Sequence, residues 1–369
     1  MLDNEKITAG QFRDLVILYT VGTSILVIPS FLAFYSQQDA WLTAIFGVIL
    51  CQGIIFVQAR LGLSMPTMTF VQMNEYLLGK WLGKCTSSIF LILPFLYSGA
   101  VLYYIGKFIS TQFFAYTPPA FIHLLIASVL FLAVYLGVET FTRAAGIFLT
   151  FFYLLFIILV VLISPQIHSD NLFPIFGTGI KPMINATLTF AVYSSVDAVV
   201  LLMIYPVHVR NQRQAYKSYF VGNAIGGFII LVITILCVLV LGGTYTANQM
   251  FPSYLLAQKV NIGNFIQRIE AILALMWFVS TYYKLVLYFF GTCLGVSQVL
   301  GLRDYKPLVL PIGILVIYFS LTMYPNVVYQ QEWDTKTSVP LSFSIDFCLP
   351  VLLLILYAVR KRKLKPEKG

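Results

Sequence analysis

Two charged residues lie inside stretches apolar enough to cross a bilayer. Asp197 sits in TFAVYSSVDAVVLLMIYP (189–206) and Lys284 in LMWFVSTYYKLVLYFFG (275–291). A carboxylate at that depth is costly, so it has to face the interior of a helix bundle and find a partner there. A lysine at that depth has to be neutral, paired or turned towards water. For Lys284 the residue type leaves four roles open: an ion pair with Asp197, donation to free backbone carbonyls, replacement of a coupling cation in a transporter, or a helix–helix strut. A third cluster, Gly22-Thr23-Ser24, lies in the first apolar stretch, in VGTSILVIP (21–29), and is followed by Pro29. The stretch around Asp197 is built alike: Tyr193, Ser194 and Ser195 precede the acid, and Pro206 closes it.

These interruptions are informative because lipid tolerates irregular backbone only where it is buried in protein or lines a cavity. Small residues such as Gly, Thr and Ser also mark close helix packing. What favours a cavity is the pairing of the first cluster with Asp197. A broken helix exposes N–H groups at one half-helix start and carbonyls at the other half-helix end, and these can hold the charged groups of a small zwitterion.

The elements that must position these residues follow from composition. Of 369 residues, 59% are hydrophobic and only 10% charged, and the mean hydropathy is +0.88. Soluble domains carry about 25% charged residues, so the chain is built for lipid. Runs of about 20 mostly apolar residues place spans near 12–34, 40–59, 86–110, 119–138, 144–164, 183–206, 219–241, 265–298, 308–324 and 341–359. The expected fold is an all-α integral membrane protein of about ten transmembrane helices, one polytopic domain over 1–369. The interruptions fall in the first and sixth spans, which correspond if the chain is two halves of five: about 12–164 and 183–359, with a basic tail over 360–369. Interrupted spans at matching positions point to a transporter-type binding site.

Ten spans put both termini on one side. The termini and even-numbered loops carry 17 basic and 7 acidic residues, against 5 and 5 on the other side. The positive-inside rule makes the termini cytoplasmic. The formal charge of +9 therefore reflects topology and gives no sign of nucleic acid. Five cysteines without a CxxC pair and three scattered histidines suggest neither disulfides nor a metal site. No phosphate loop, HExxH, GxSxG or dinucleotide fingerprint is present, so the chain reads as a non-enzyme with no cofactor.

Tyr103, Tyr104, Tyr282 and Tyr283 lie inside spans, and one or two are candidates to line the cavity, since buried hydroxyls seek partners; Tyr103 and Tyr282 are carried as candidates beside Lys284. Asp346 lies near the outer end of the last span, within reach of the interface. In 64–83, Phe70, Met73, Leu77 and Trp81 recur at spacings of three and four, which predicts a short amphipathic helix resting on the membrane surface.

The block KITAGQF followed by YTVGTSILVIP resembles the start of the B subunits of bacterial spore germinant receptors, the spore-permease branch of the amino acid–polyamine–organocation superfamily. NEYLLGKWLGK (74–84), NLFPIFGTGIKPMINA (171–186), the acid nine positions before the proline in DAVVLLMIYP (197–206) and IGNFIQRIEAILALMWF (262–278) extend the resemblance over nearly the whole chain. It implies a LeuT-like fold of inverted five-helix repeats with broken first and sixth helices. It also implies residence in the inner membrane of the spore and assembly with an A subunit and a lipoprotein C subunit. The receptor would sense a small nutrient such as an amino acid. Carried over by position, Gly22, Thr23 and Ser24 match the first unwound segment and Tyr193, Ser194, Ser195 and Asp197 the sixth. The family more often has glycine and glutamate where this chain has Val196-Asp197. A proton-coupled amino acid or amine transporter is the alternative function, and it needs the same cavity.

Overall fold

The structure is a computed structural model and describes residues 6–259 and 269–363. Part of the 262–278 motif, the start of the expected eighth span and most of the basic tail lie outside the described residues. Eight described helical runs are long and apolar enough to cross a membrane. One of them, Ser24–Ser64, reverses direction at Gln37, where φ is +44°, and so makes two crossings. The shorter Lys306–Thr322 adds another, giving ten crossings. The chain is an all-α integral membrane protein.

The first crossing is two half-helices, Ala9–Val21 and Ser24–Ser36, joined at Gly22-Thr23. A capping box between Thr8 and Gln11 starts it by satisfying first-turn amides. The preceding residue, Ile7, pairs with the end of the sixth crossing: its amide donates to His208 O at 2.8 Å and its carbonyl accepts from Arg210 N at 3.1 Å. The second to fifth crossings are Ala40–Ser64, Lys80–Gln112, Pro119–Leu136 and Val138–Ile163. The seventh to ninth are Gln212–Leu241, Glu270–Leu300 and Lys306–Thr322.

The sixth and tenth crossings are helical throughout but irregular. The sixth runs as α-helix over Ile180–Ala191, widens to a π-helical turn at Val192–Val196, tightens to 3-10 over Asp197–Met203 and ends at Tyr205–His208. The interruption is thus a change of helix pitch, with no extended segment. The tenth begins at Val327, well before the expected 341, and passes through two π-helical turns, Trp333–Thr337 and Phe343–Phe347. Its first turns read as loop in a hydropathy window because they are polar on both sides: Gln330, Asp334 and Thr335 are buried, while Gln331, Glu332 and Lys336 are exposed.

In lipid, apolar surface gives helices little reason to associate, so close packing and polar contacts must hold the bundle. The first and seventh crossings illustrate this. A Cβ at Gly222 would lie 2.9 Å from Arg13 O, and one at Gly226 would lie 2.6 Å from Thr20 Cβ. Only glycine permits that approach.

The expected amphipathic helix exists as Phe70–Leu78, with its own Thr69/Gln72 capping box, but its apolar face packs on the bundle and does not rest on a membrane surface. Phe70, Met73 and Leu77 are buried, with Phe70 against Phe90 at 4.6 Å between ring centroids. Trp81 does not share that face: the chain turns at Gly79, and Trp81 is 85% exposed on the third crossing. Arg360, at the head of the basic tail, donates to Tyr76 O at 2.9 Å.

Candidate functional site

The break at Gly22 is enforced from the opposite helix. Gly22 has φ +23° and ψ −128°, a conformation that side chains disfavour. A Cβ there would also meet Lys284 Cδ at 2.5 Å. The lysine stem fills the notch in the first crossing. Its ammonium then reaches the carbonyl of Tyr193 in the π-helical turn of the sixth, with Nζ donating at 2.6 Å. Ser24 Oγ donates to the same carbonyl at 3.2 Å. The rings of Tyr19 and Tyr288 lie 5.0 Å and 5.9 Å from Nζ, a cation–π setting for the buried charge. No carboxylate of a described residue lies within ion-pair distance of it. Of the roles open to Lys284 in the sequence, donation to a broken-helix carbonyl is the one the geometry realises.

A change of helix pitch strands carbonyls, and buried carbonyls need donors. Neighbouring helices supply them. Gln58 Nε2 donates to Ser195 O at 2.9 Å and Val196 O at 3.1 Å. Asn223 Nδ2 donates to Ser194 O at 3.2 Å and Ser195 Oγ at 2.8 Å. Tyr219 Oη donates to Ala198 O at 2.7 Å.

Between the first, third, sixth, eighth and tenth crossings lies a cavity of about 50 Å³, lined among others by Thr23, Tyr97, Tyr193, Asp197, Lys284 and Tyr288. Asp197 accepts from Tyr288 Oη at 3.5 Å, and Tyr288 from Tyr19 Oη at 2.8 Å. Asp334, at the upper rim, accepts from Tyr104 Oη and, at 3.3 Å, from Tyr324 Oη. Tyr104 and Asp334 also line a second cavity of about 240 Å³ at the end remote from the termini, with Phe31, Gln249 and Gln330. This pair is the partition between vestibule and central cavity.

The structure therefore brings Gly22, Thr23, Ser24, Tyr193, Asp197 and Lys284 together. Ser194 and Ser195 do not line the cavity: Asn223 of the seventh crossing donates to the Ser195 hydroxyl and, for Ser194, only to the backbone carbonyl. Tyr103 packs on Tyr324 at 4.8 Å between centroids and does not line the cavity; its neighbour Tyr104 does. Tyr282 donates to Val129 O at 3.1 Å, away from the cavity, whereas Tyr288, further along the same helix, faces it. Asp346 does not reach the interface. It is 1% exposed and accepts from Tyr97 Oη at 3.0 Å. Asp334, which lies between the ninth and tenth spans expected from hydropathy, is 4% exposed. Tyr97, Asp334 and Ser342 escape the sequence reading, and Asp346 is placed by it at the interface; the spacing of Ser342 and Asp346, one helical turn apart, is the available signal.

The family model described as spore germination protein matches residues 6–328. The chain belongs to this spore-permease family. Similar proteins from Bacillus subtilis (strain 168) include spore germination protein KB, 25% identical over 100% of this chain and 99% of that protein. Spore germination protein YndE is 24% identical over 97% and 98%, and spore germination protein A2 is 25% identical over 97% of each.

Among solved structures, the fold matches Mhp1, a nucleobase-cation-symport-1 family transporter, in a closed conformation with bromovinylhydantoin bound. The TM-score is 0.76 at 11% identity, over 98% of this chain and 80% of that one. MhsT in complex with L-phenylalanine matches with a TM-score of 0.61 at 14% identity, over 96% and 99%. At these identities the likeness concerns the fold, which is the LeuT-like one the motifs implied.

Proposed function

We propose that this chain is the membrane subunit of a nutrient germinant receptor, sensing a small molecule such as an amino acid in the cavity between its broken first and sixth helices. The observation that carries the reading is the convergence of the Gly22 break, the pitch change at Tyr193–Asp197 and Lys284 on one cavity, in a chain of the spore germination family. The ligand-contacting residues are Thr23 with the Gly22 and Ser24 backbone, Tyr193 and Asp197, and Lys284 is the residue that ligand arrival displaces or engages.

A cavity of about 50 Å³ holds a few waters and no amino acid, so this conformation is closed around its own side chains. Nutrient entering from the vestibule past Tyr104 and Asp334 has to favour a wider state. That difference in affinity between two states is what a partner chain reads. The chain sits in the inner membrane of the spore with both termini cytoplasmic, as two five-helix repeats of about 12–164 and 183–359. It assembles there with an A subunit and a lipoprotein C subunit.

Deletion of the gene and complementation, scored as spore germination over a panel of nutrients, tests the reading. It requires loss of the response to one class of nutrient and its return with the intact chain. An unchanged response across the panel, together with uptake of the same nutrients by vesicles containing the chain, favours a transporter instead.

A further inference from the structure

We infer that a further cavity, at the end of the bundle that carries the N-terminus, binds the phosphate group of a phosphate ester. Its volume is about 220 Å³, and Val138, His208, Phe290, Gln298, Arg303 and Lys306 are among the residues that line it. Four crossings meet there. Val138 begins the fifth, His208 ends the sixth, Phe290 and Gln298 belong to the eighth, and Lys306 begins the ninth. The site shares no lining residue with the central cavity.

The wall is rich in donors and short of acceptors. Its cations are Arg303 and Lys306 and its one acid is Asp304, whose Oδ1 already accepts from the Lys306 amide at 3.2 Å. Arg303 is exposed, and no carboxylate of a described residue lies within ion-pair distance of it. Lys306 Nζ lies over the ring of Tyr135, 5.0 Å from its centroid, again without a carboxylate. Gln298 supplies an observation independent of charge. Thr69 Oγ1 donates to its Oε1 at 2.7 Å, which fixes the amide and leaves Nε2 buried with no acceptor, a costly state for an N–H group. The long helices that start at Val138 and Lys306 bring the partial positive charge of their N-termini to the same wall.

An oxyanion supplies what this wall lacks, and the fork of an arginine matches phosphate oxygens in geometry as well as charge. The rest of the lining, with Val138, Phe290, Leu294 and Leu302, is apolar and suits the carbon substituent of an ester better than a bare anion. That chemistry has two sources, a phospholipid headgroup at the membrane surface and a soluble phosphate ester. Either occupant would join the end of the sixth helix to the eighth and ninth. The same end of the sixth helix holds the start of the chain, where His208 O accepts from Ile7 N.

The site goes beyond nutrient sensing and is tested without it. Full-length protein in phosphatidylcholine nanodiscs is unfolded thermally, by tryptophan fluorescence, over a series of glycerol 3-phosphate concentrations, with ionic strength balanced by NaCl. A second arm replaces phosphatidylcholine stepwise with phosphatidylglycerol. The midpoint should rise saturably in at least one arm. A rise confined to the first assigns a soluble ester, and one confined to the second a headgroup. Arg303→Gln, at an exposed position that folding does not need, should raise the half-saturating concentration or mole fraction roughly tenfold or more. Gln298→Glu keeps the acceptor for Thr69 and turns the donor into a repelling oxygen, so it should weaken binding as well; if it does not fold, Arg303→Gln decides. Lys336→Gln, in an exposed pair with Glu332 in the tenth crossing, should leave the response unchanged. Flat midpoints in both arms, or a rise that Arg303→Gln leaves intact or that Lys336→Gln reduces equally, would overturn the site. None of these outcomes bears on whether germination responds to nutrient through the central cavity.

Discussion

The ammonium of Lys284 stands 2.6 Å from the carbonyl oxygen of Tyr193, so one side chain of the eighth crossing closes the gap between the broken first helix and the distorted sixth. Its methylene stem occupies the space that a side chain at Gly22 would need. The lysine is in this sense the plug of the cavity as well as its positive charge.

Replacing that charge is the first test. Lys284→Met keeps the stem and removes the donor, and Ser24 still engages the Tyr193 carbonyl. The protein should therefore accumulate in membranes near the normal level while the germination response is lost. Immunoblots beside the germination assay separate this from a strut, for which response and protein level fall together. A normal response at a normal level rejects both roles.

Gly22→Ala carries two costs: the positive φ, on the order of 1–3 kcal/mol for a strained backbone, and the collision with Lys284 Cδ. Only the second depends on the lysine. Lys284→Ala in the Gly22→Ala background should therefore return part of the lost thermal stability and leave the backbone part, a coupling visible in a double-mutant cycle. Additive losses would show that the stem does not press on the break.

The donors that cap the stranded carbonyls should matter for stability more than any surface pair. Gln58→Leu leaves Ser195 O and Val196 O without their side-chain donor, and Asn223→Leu does the same to Ser194 O. Each should cost about 1–3 kcal/mol, read as a lowered midpoint of thermal unfolding in detergent. Glu332→Gln, at an exposed helical pair, should change stability by no more than roughly 0.5 kcal/mol. Equal effects would mean that the pitch change is held by packing alone.

The course of the chain through the membrane was legible because lipid imposes long apolar runs, and the two breaks because Gly22-Thr23-Ser24 and Tyr193–Asp197 violate those runs. What was not legible was helical phase. Tyr103 and Tyr104 are equivalent by composition, and only the rotation set by packing turns Tyr104 inward. The same holds for Tyr282 against Tyr288. Asp334 and Asp346 were misjudged for a different reason. The first turns of the tenth crossing are polar on the buried and the exposed side alike, so an average over them reads as loop, and its π-helical turns leave no mark in composition. Gln58 and Asn223 were missed because a lone amide in an apolar run has no partner until the neighbouring carbonyls are known to be free.

Tyr104 and Asp334 separate vestibule from cavity, which makes accessibility a further test. In a cysteine-free background, Thr23→Cys should react slowly with a small impermeant thiol reagent applied from the vestibule side, and Tyr104→Phe should speed that reaction. A cysteine at 334 should itself react slowly, because Asp334 is buried, whereas one at the exposed position 170 should label readily. Rapid labelling at 23 without the Tyr104 change would mean that the partition is elsewhere.

Sensing at the cavity is tested most directly by nutrient dose–response curves for germination at matched protein abundance. Thr23→Val and Asp197→Asn change groups that line the cavity, while Ser195→Ala changes a hydroxyl turned towards Asn223. A nutrient bound between the broken helices requires the midpoints of Thr23→Val and Asp197→Asn to move to higher concentration, tenfold for each loss of about 1.4 kcal/mol, with Ser195→Ala close to the parent. Unshifted midpoints in both cavity variants, with the full response retained, would contradict it and place the nutrient elsewhere in the receptor.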